Sequence, residues 1–383
     1  MTAEHPVRER DVQYMRECID LARRGKGAVE PNPMVGALLV RDGRVVGRGW
    51  HKRFGGAHAE VEALRQAGDR ARGATLYVSL EPCNHVGKTP PCTRAILEAG
   101  VDTVIIGMPD PNPDVEGNGA AVLRAAGVRV IEHVERVACE ALNEVWLANT
   151  THRRPFIRLK IAQTLDGFIA AQKGATQWIT GEAARVEVHR QRADSQAVLI
   201  GAGTLRKDNP ALTVRHVEGH SPLRVILTRS WQLPRASTVL TDAHTDRTVL
   251  ITSSRARRKH AEEIARYERR GIRVFDVATN AQEYAALPAV TRLLHDVLGV
   301  RSMMVEGGAE LFSAFLKAGL CDRLDCFTAP MVLGAGTAAF SSLRPVHISG
   351  AYRFHIEEAR MLGEDLHTVL RPRKEDADVH RNH

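Results

Sequence analysis

His58, Glu60, Cys83 and Cys92 are residues whose types and spacing could do chemistry together. One His and two Cys are zinc-type donors, and three protein ligands leave a fourth position for water, as a catalytic zinc requires. Glu60, two positions from His58, is then the acid/base group. Zinc lowers the pKa of water toward neutrality, but a carboxylate must still take the proton and deliver it to a departing amine. A carboxylate tied up as a ligand could not do that. Each residue also has a plainer reading. A lone His at a helix start is often structural, a lone Cys is often a small buried hydrophobe, and a closed structural zinc site would need a fourth ligand, for which His85 is the nearest candidate. Cys18, Cys139, Cys321 and Cys326 lack such neighbours and read as packing residues.

The elements around these residues decide whether they can meet. Apolar residues at Val12, Met15, Ile19 and Leu21/Ala22 predict a helix over 11–24. "VGALLV" and "RVVGRGW" flank "RDG" as in a β-hairpin. "HAEVEALRQAG" reads as helix, "TLYVSL" as a buried strand, "PPCTRAILEAG" as a proline-opened helix and "VDTVIIGM" as strand. A helix ("GAAVLRAAG"), a short strand ("VRVIEHV") and a helix near 137–149 complete an α/β first half. His58 and Cys92 thus fall at predicted helix starts and Cys83 after a strand end. Helix N-termini favour the thiolate form that binds metal.

The polar, proline-ended "NTTHRRP" places a domain boundary near residue 150, giving domains 1–150 and 151–383. Beyond it, "FIRLKIAQTLDGFIA" reads as a long strand broken at Asp166-Gly167. A helix at 182–193, "AVLIG", "RVILT", "TVLIT", "RVFDV", a helix near 283–298, "SMMVEGG" and "AELFSAFLKAG" follow. Alternating strands and helices imply a mostly parallel sheet with ligands at the strand C-termini. "RARRKHAEEIARYERRG" reads as a solvated helix with internal ion pairs, and the charged tail from about 371 as disordered. There is no G-x-G-x-x-G after a strand. "VEGGAEL" and "IGAGTLRKDNP" nevertheless pass from strand into helix with exposed backbone N–H groups, which could cradle an anion or serve only as turns.

The chain has 383 residues, 44% hydrophobic and 26% charged, with formal charge +8. That length suggests two domains. No run approaches the ~20 apolar residues of a membrane span, and the N-terminus does not read as a secretory signal. Six sparse cysteines are no disulfide framework, so reduced thiols and a cytoplasmic setting are expected. The positive charge could reflect a polyanion, an Arg-rich surface or sites for phosphorylated small molecules.

His-x-Glu followed by Pro-Cys is the zinc-deaminase pattern, in which the water attacks an amidine carbon. The generic pattern has two residues between its cysteines; "CNHVGKTPPC" has eight, bringing His85 and Lys88 near the metal and suggesting an anionic substrate. "EPNPMVGALLV", "GAHAEVEAL", "LEPCNHVGKTPPC" and "MPDPNPDVEGNG" then resemble the deaminase half of the RibD family, in which a pyrimidine deaminase of riboflavin biosynthesis is fused to a reductase. That resemblance implies that His58, Cys83 and Cys92 bind zinc, that Glu60 shuttles protons, and that Asn32, His51, His85 and Lys88 hold the substrate. The family commonly has Ser at Asn84 and Cys at Ala37, neither of them a ligand.

"RPFIRLKIAQTLDG", "TQWITGEAAR", "GAGTLRKDNPALTVR" and "VEGGAEL" resemble the family's reductase domain. The resemblance implies NADPH held by Ala162, Trp178, Thr204, Asp208, Gly307, Gly308, Ala309, Glu310, Leu311 and Phe312. It places substrate on Thr176, Arg192, Leu212, Arg215 and Glu306, with forked hydrogen bonds from the two arginines to its phosphate. From their place in the broken strand, Lys160 and Asp166 read equally as candidate acids or as structural residues. The implied fold is a cytidine-deaminase-like three-layer α/β/α domain followed by a dihydrofolate-reductase-like α/β domain. The implied partners are a small phosphorylated pyrimidine and copies of the same chain in a dimer or tetramer, with no nucleic acid and no membrane.

Rival readings exist. A nucleic-acid deaminase would want stacking aromatics and basic grooves, yet aromatics are 5% and the second domain would have no role. A non-catalytic zinc-stabilised binding protein would unfold without metal and release no ammonia. A chain with one degenerate domain would lack signature residues, and none is missing.

Overall fold

Asp42 and Gly43, both at positive φ (52° and 73°), turn the chain between β1 (Gly36–Arg41) and β2 (Arg44–Trp50) as antiparallel neighbours. The computed structural model describes residues 7–84, 90–112, 118–172, 178–280, 285–343 and 347–373. The chain forms two compact units, Met1–His152 and Arg153–His383. In the first, β3 (Thr75–Leu80), β4 (Thr103–Met108) and β5 (Arg129–Ile131) complete a five-stranded sheet of order β2-β1-β3-β4-β5. β1 is antiparallel to β2 and β3, and β3, β4 and β5 run parallel.

The sheet is covered on both faces. Helix α1 (Glu9–Arg23) packs Met15, Cys18 and Ile19 onto one face, with Leu38, Tyr77 and Ile105. Helices α2 (Ala59–Ala67), α3 (Cys92–Glu98) and α4 (Gly119–Ala125) pack Ala63, Ile96 and Leu123 onto the other, with Leu39, Val78 and Ile106. Small residues bring α2 close to β2: a Cβ on Gly49 would stand 2.0 Å from the Ala59 carbonyl oxygen. That close approach fixes the first turn of α2, which carries His58 and Glu60.

The helix expected near 137–149 is two helices, α5 (Arg136–Leu142) and α6 (Glu144–His152), broken at Asn143. Asn143 uses its side chain on the backbone of Met34 rather than facing solvent from a continuous helix. The first four residues of the polar stretch that suggests a boundary, 149–152, form the end of α6, and its last three begin the second unit.

The second unit holds a nine-stranded sheet of order β11-β10-β9-β8-β12-β6-β13-β16-β15. Its strands are β6 (Phe156–Thr164), β8 (Ala197–Gly201), β9 (Leu223–Leu227), β10 (Thr248–Ser253), β11 (Arg273–Val277), β12 (Ser302–Val305), β13 (Arg323–Ala329), β15 (Phe354–Leu362) and β16 (Asp365–Pro372). The first seven in spatial order run parallel; β16 is antiparallel to both β13 and β15. Helices α7 (Glu182–Ala193), α8 (Ala202–Asp208), α9 (Thr238–Thr241), α10 (Ser254–Lys259), α11 (Ala261–Glu268), α12 (Leu287–Asp296) and α13 (Ala309–Lys317) connect them. Val290, Leu294 and Phe315 from α12 and α13 pack on one face, and Val188, Leu205 and Ile264 from α7, α8 and α11 on the other.

The break expected at Asp166-Gly167 is present: Thr164 Oγ1 bonds the Asp166 carboxylate at 2.5 Å and accepts the Phe168 N–H at 3.0 Å, Gly167 takes φ 84°, and β7 (Phe168–Ala171) pairs with β14 (Gly336–Ala338) in a separate small sheet. The Arg-rich run forms two helices, because Ala256, Ile264 and Tyr267 are buried while Arg257 pairs with Glu268 and Asp276. β16 runs to Pro372, and the rest of the tail expected to be disordered, residues 374–383, lies outside the described residues. No described helix is long and apolar enough to cross a membrane.

Candidate active sites

Three backbone ends of the first unit deliver three metal-type donors to one point. His58 is the N-cap of α2, Cys92 is the first residue of α3, and Cys83 follows β3. Their ligand atoms all lie within 4.8 Å of one another. His58 Nδ1 faces both sulfurs, 3.1 Å from Cys92 Sγ and 3.5 Å from Cys83 Sγ, and the Cys92 N–H points at Cys83 Sγ at 3.5 Å. The Cys83 thiol is held down to about 4, first by a hydrogen bond from Cys92 and then by His58 against the opposing effect of burial. Cys92, donating to that sulfur from a buried position, is pushed far up. Two thiols this close share one proton, and a cation between them is what would release it.

Glu60, on the first turn of α2, is 4% exposed. Burial pushes its carboxyl above the usual range, the Cys83 charge adds to that, and His58 opposes it. A carboxyl whose pKa is raised by burial beside a donor cluster is a stronger base than a free one and can take and give a proton.

Asn32 and His51 reach the same place. His51 is buried, its Nδ1 lies 3.1 Å from the Ala57 carbonyl, and Asn32 Nδ2 lies 3.4 Å from its Nε2. Nδ1 therefore carries the proton and Nε2 accepts from Asn32. The His51 ring stands edge-on to that of His58, with centroids 5.8 Å apart. Burial lowers the His51 pKa below its ordinary value. His85 and Lys88 lie outside the described residues.

Two residues that the sequence reading passed over hold this pocket. Glu81 accepts the Asp110 N–H at 3.2 Å and the Ala120 N–H at 3.0 Å, tying the end of β3 to the chain after β4 and to α4. Asn143 holds Met34. The "EPC" motif contained the first signal; an Asn inside an otherwise apolar helical stretch was the second.

In the second unit, the C-terminal ends of β8, β12 and β6 lie side by side. Gly201 leads into α8, which carries Thr204 and Asp208, and Glu306, Gly307 and Gly308 lead into α13. The two turns face each other, since a Cβ on Gly308 would lie 3.8 Å from Thr204 Oγ1. Gly308 is the N-cap of α13, so the N–H groups that begin this helix, at Ala309 and Glu310, open on the same side as Thr204. Leu311 is half-buried, and the Phe312 side chain sits in the core, 2% exposed. The Phe312 N–H is itself spent on the Gly308 carbonyl at 3.1 Å, so this residue buttresses the turn from within the helix. Ala162 is half-buried on β6, and Trp178 is exposed, with Arg185 stacked 4.7 Å over its ring, beside a 570 Å³ cavity bordered by Ala329, Met331 and Asp365.

A charged seam runs between α7 and the sheet. Arg192 grips Glu306 with two bonds, at 2.5 and 2.7 Å, and donates its third to the Thr213 carbonyl at 3.2 Å. Its fork is thereby spent on Glu306, leaving Arg215, which is exposed, as the arginine available to a phosphate. The Arg215 N–H bonds His189 Nδ1 at 3.1 Å. Leu212 is buried at φ 56°, so its side chain faces core rather than ligand. Val305 pairs with Leu159, which sets Glu306 beside Lys160 on the neighbouring strand. Burial draws Lys160 below the ordinary lysine range, Glu306 pulls it up and Arg192 down. Asp166, by contrast, accepts from Leu333 and Gly334 N–H groups and from Thr164, and acts as a loop tie. Thr176 lies outside the described residues.

Comparison with known proteins agrees with both halves. The family described as the RibD C-terminal domain matches residues 155–368, and the zinc-binding region of cytidine and deoxycytidylate deaminases matches residues 8–108. The riboflavin biosynthesis protein RibD of Bacillus amyloliquefaciens is 38% identical over 380 residues, 96% of this chain and 99% of its own length. That of Aquifex aeolicus is 39% identical over 361 residues, 94% and 98% of the two. Among solved structures, Acinetobacter baumannii RibD superposes with a TM-score of 0.76 at 35% identity, over 96% of this chain and 99% of that one. A diaminohydroxyphosphoribosylaminopyrimidine deaminase/5-amino-6-(5-phosphoribosylamino)uracil reductase from Thermotoga maritima gives 0.74 at 37%, over 95% and 99%.

Proposed function

The chain belongs to the RibD family of riboflavin biosynthesis proteins, and from that premise we propose how its two sites act. It is a bifunctional enzyme, with a cytidine-deaminase-like domain followed by a RibD reductase domain. The first reaction is hydrolytic deamination of 2,5-diamino-6-(5-phosphoribosylamino)pyrimidin-4-one. The second is reduction of the ribosyl group of 5-amino-6-(5-phosphoribosylamino)uracil to ribityl.

His58, Cys83 and Cys92 would hold zinc; their donor set and the shared thiol proton fit such an ion. Zinc bound there would supply an activated water at neutral pH. Glu60 takes that water's proton and passes it to the departing amine, for which its raised pKa and buried place suit it. Asn32 and His51 line the pocket and orient the pyrimidine, with His85 and Lys88 as the further substrate contacts.

In the reductase, the turns at Gly201–Thr204 and Gly307–Glu310 would hold NADPH, with Ala162, Trp178 and Asp208 alongside. NADPH bound there would supply the hydride that reduces the ribosyl C1. Of the two candidate acids, Lys160 is favoured: it sits beside Glu306 at the strand ends, whereas the Asp166 oxygens are committed to the loop. The ribosyl ring first opens to its imine form, the bond from C1 to the ring oxygen breaking to leave a hydroxyl, and Lys160 delivers a proton to the imine nitrogen as hydride reaches C1, leaving the amine. Arg215 takes the substrate phosphate, and Arg192 holds Glu306 in place. Thr176 and the Leu212 backbone complete the substrate contacts.

The single observation that carries this reading is the His58–Cys83–Cys92 cluster with Glu60 buried against it. A small phosphorylated pyrimidine, rather than nucleic acid or a membrane, accounts for the positive charge. Self-association into a dimer or tetramer is supported by β15, an edge strand exposed along most of its length with Ile356 and Met361 outward. Six free cysteines are consistent with a cytoplasmic setting. The test supplies the diaminopyrimidinone with NADPH and follows ammonia and NADPH oxidation separately. Glu60→Gln keeps zinc, loses ammonia release by about 10²–10⁴-fold, and still reduces the pre-deaminated compound. Ammonia release at the wild-type rate would remove Glu60 from its role.

A further inference from the structure

Asn143 is 2% exposed, and both ends of its side-chain amide bond the same residue. Oδ1 accepts the Met34 N–H at 2.8 Å, and Nδ2 donates to the Met34 carbonyl at 2.9 Å. A lone hydrogen bond leaves a peptide free to pivot, whereas two to the same residue fix its rotation as well as its place. Asn143 also interrupts what would otherwise be one helix: its N–H bonds the Glu140 carbonyl closing α5, and its carbonyl accepts the Leu147 N–H opening α6. The break frees the amide to reach a residue 109 positions away.

Met34 lies in the segment between α1 and β1 that carries Asn32. On either side of Met34 this segment is tied to the metal pocket. The His51 N–H bonds the Val35 carbonyl at 2.9 Å, and Asn32 Nδ2 meets His51 Nε2 at 3.4 Å. His51 is in turn set by the Ala57 carbonyl, next to His58 in sequence, and packs edge-on against the His58 ring. A chain of bonds therefore leads from Asn143 through Met34 to the Asn32–His51 pair over the donor cluster.

We propose that Asn143 is a positioning residue of the deaminase, holding the 31–35 segment so that Asn32 and His51 meet the pyrimidine in one register. The proposal rests on the deaminase reading given above. Because Asn143 binds neither metal nor substrate, its loss should act on substrate binding and leave the metal alone. A 1 Å shift of an orienting group is enough for a large kinetic effect.

The test uses the full chain with zinc bound. In Asn143→Ala, zinc stoichiometry should match wild type, KM for the diaminopyrimidinone should rise about tenfold with a smaller fall in kcat, and NADPH oxidation with the pre-deaminated compound should be unchanged. Asn32→Ala and the double variant supply the decisive readout. If Asn143 acts through Asn32, the double variant's kcat/KM falls little below that of the worse single variant; independent effects would multiply. Wild-type kinetics in Asn143→Ala, or multiplying effects in the double variant, would overturn the proposal. Should the alanine variant fail to fold, Asn143→Asp keeps the volume and the acceptor for the Met34 N–H but loses the donor. A KM raised several-fold in that variant supports the proposal, and an unchanged KM overturns it. Absence of ammonia release from the wild type is a separate outcome, which sinks the deaminase reading and the proposal with it.

Discussion

The two units build their sites from different materials. The deaminase site is made of side chains: one ring nitrogen, two sulfurs and one buried carboxyl, delivered by two helix starts and a strand end. The site proposed for the reductase rests on backbone N–H groups at two facing turns, backed by the Arg192–Glu306 and Lys160 seam. In the first, each function has one owner, so a single replacement should abolish the reaction. In the second, recognition is spread over many peptide groups that every residue type possesses, so single replacements should weaken it by degrees. The difference also governs what a sequence can disclose. Donor side chains leave a dense motif, while a backbone cradle leaves only glycines and strand–helix junctions.

The sharpest way to break this comparison is Cys92→Ser. A serine hydroxyl is a far poorer zinc donor than a thiolate, so the variant should lose bound zinc and ammonia release together, below the level of detection. NADPH oxidation with the pre-deaminated compound should continue at the wild-type rate. A parallel loss of both activities in a folded variant would show that the two sites are not independent owners of their reactions.

A milder outcome is expected from Gly308→Ala. Its φ is −88°, and a Cβ there would rest 3.8 Å from Thr204 Oγ1, an ordinary contact. The fold should tolerate the change, but a methyl group would now stand inside the proposed cofactor cradle. KM for NADPH should rise about tenfold, equivalent to about 1.4 kcal/mol, with zinc content and ammonia release untouched. An unchanged KM would move the cofactor away from this turn and weaken the contrast between the sites.

Periodicity and turn chemistry made most elements legible in the sequence: helix 182–193 matches α7 residue for residue, and "RDG" marks a true hairpin. The misses have physical causes. Asn143 breaks a helix because its amide has a better partner across the fold, which local propensity does not encode. The break at Asp166-Gly167 was legible but its consequence was not: Thr164, Leu333 and Gly334 turn the chain into a second small sheet. β13, β15 and β16 passed unread; β15 is exposed along most of its length and so lacks the alternation that marks a half-buried strand. Within the sites, the donor cluster could be read from spacing alone. The arginine pair could not, because only the structure shows that the Arg192 fork is already taken by Glu306.

The smallest expected effect probes how the second unit holds the segment that carries Arg215. His189 is buried, accepts the Arg215 N–H through Nδ1, and touches the His216 ring edge-on at 4.6 Å. Burial, and after it the Arg192 charge, hold its imidazole down to about 4, against 6.5 for an unperturbed ring. Between those values the unfolded chain binds a proton that the folded chain refuses. The stability of the second unit should therefore fall as pH drops from about 6.5 toward 4, with His189 contributing a slope that approaches one proton. His189→Asn keeps an acceptor for the Arg215 N–H and removes the titration. Chemical denaturation at pH 7 and pH 5 should show the variant losing less stability than the wild type over that interval, since every other titrating group is common to both. Equal losses would mean that His189 accepts its proton as readily folded as unfolded, and the 211–215 segment would then owe its place to Arg192 and Thr213 rather than to a neutral imidazole.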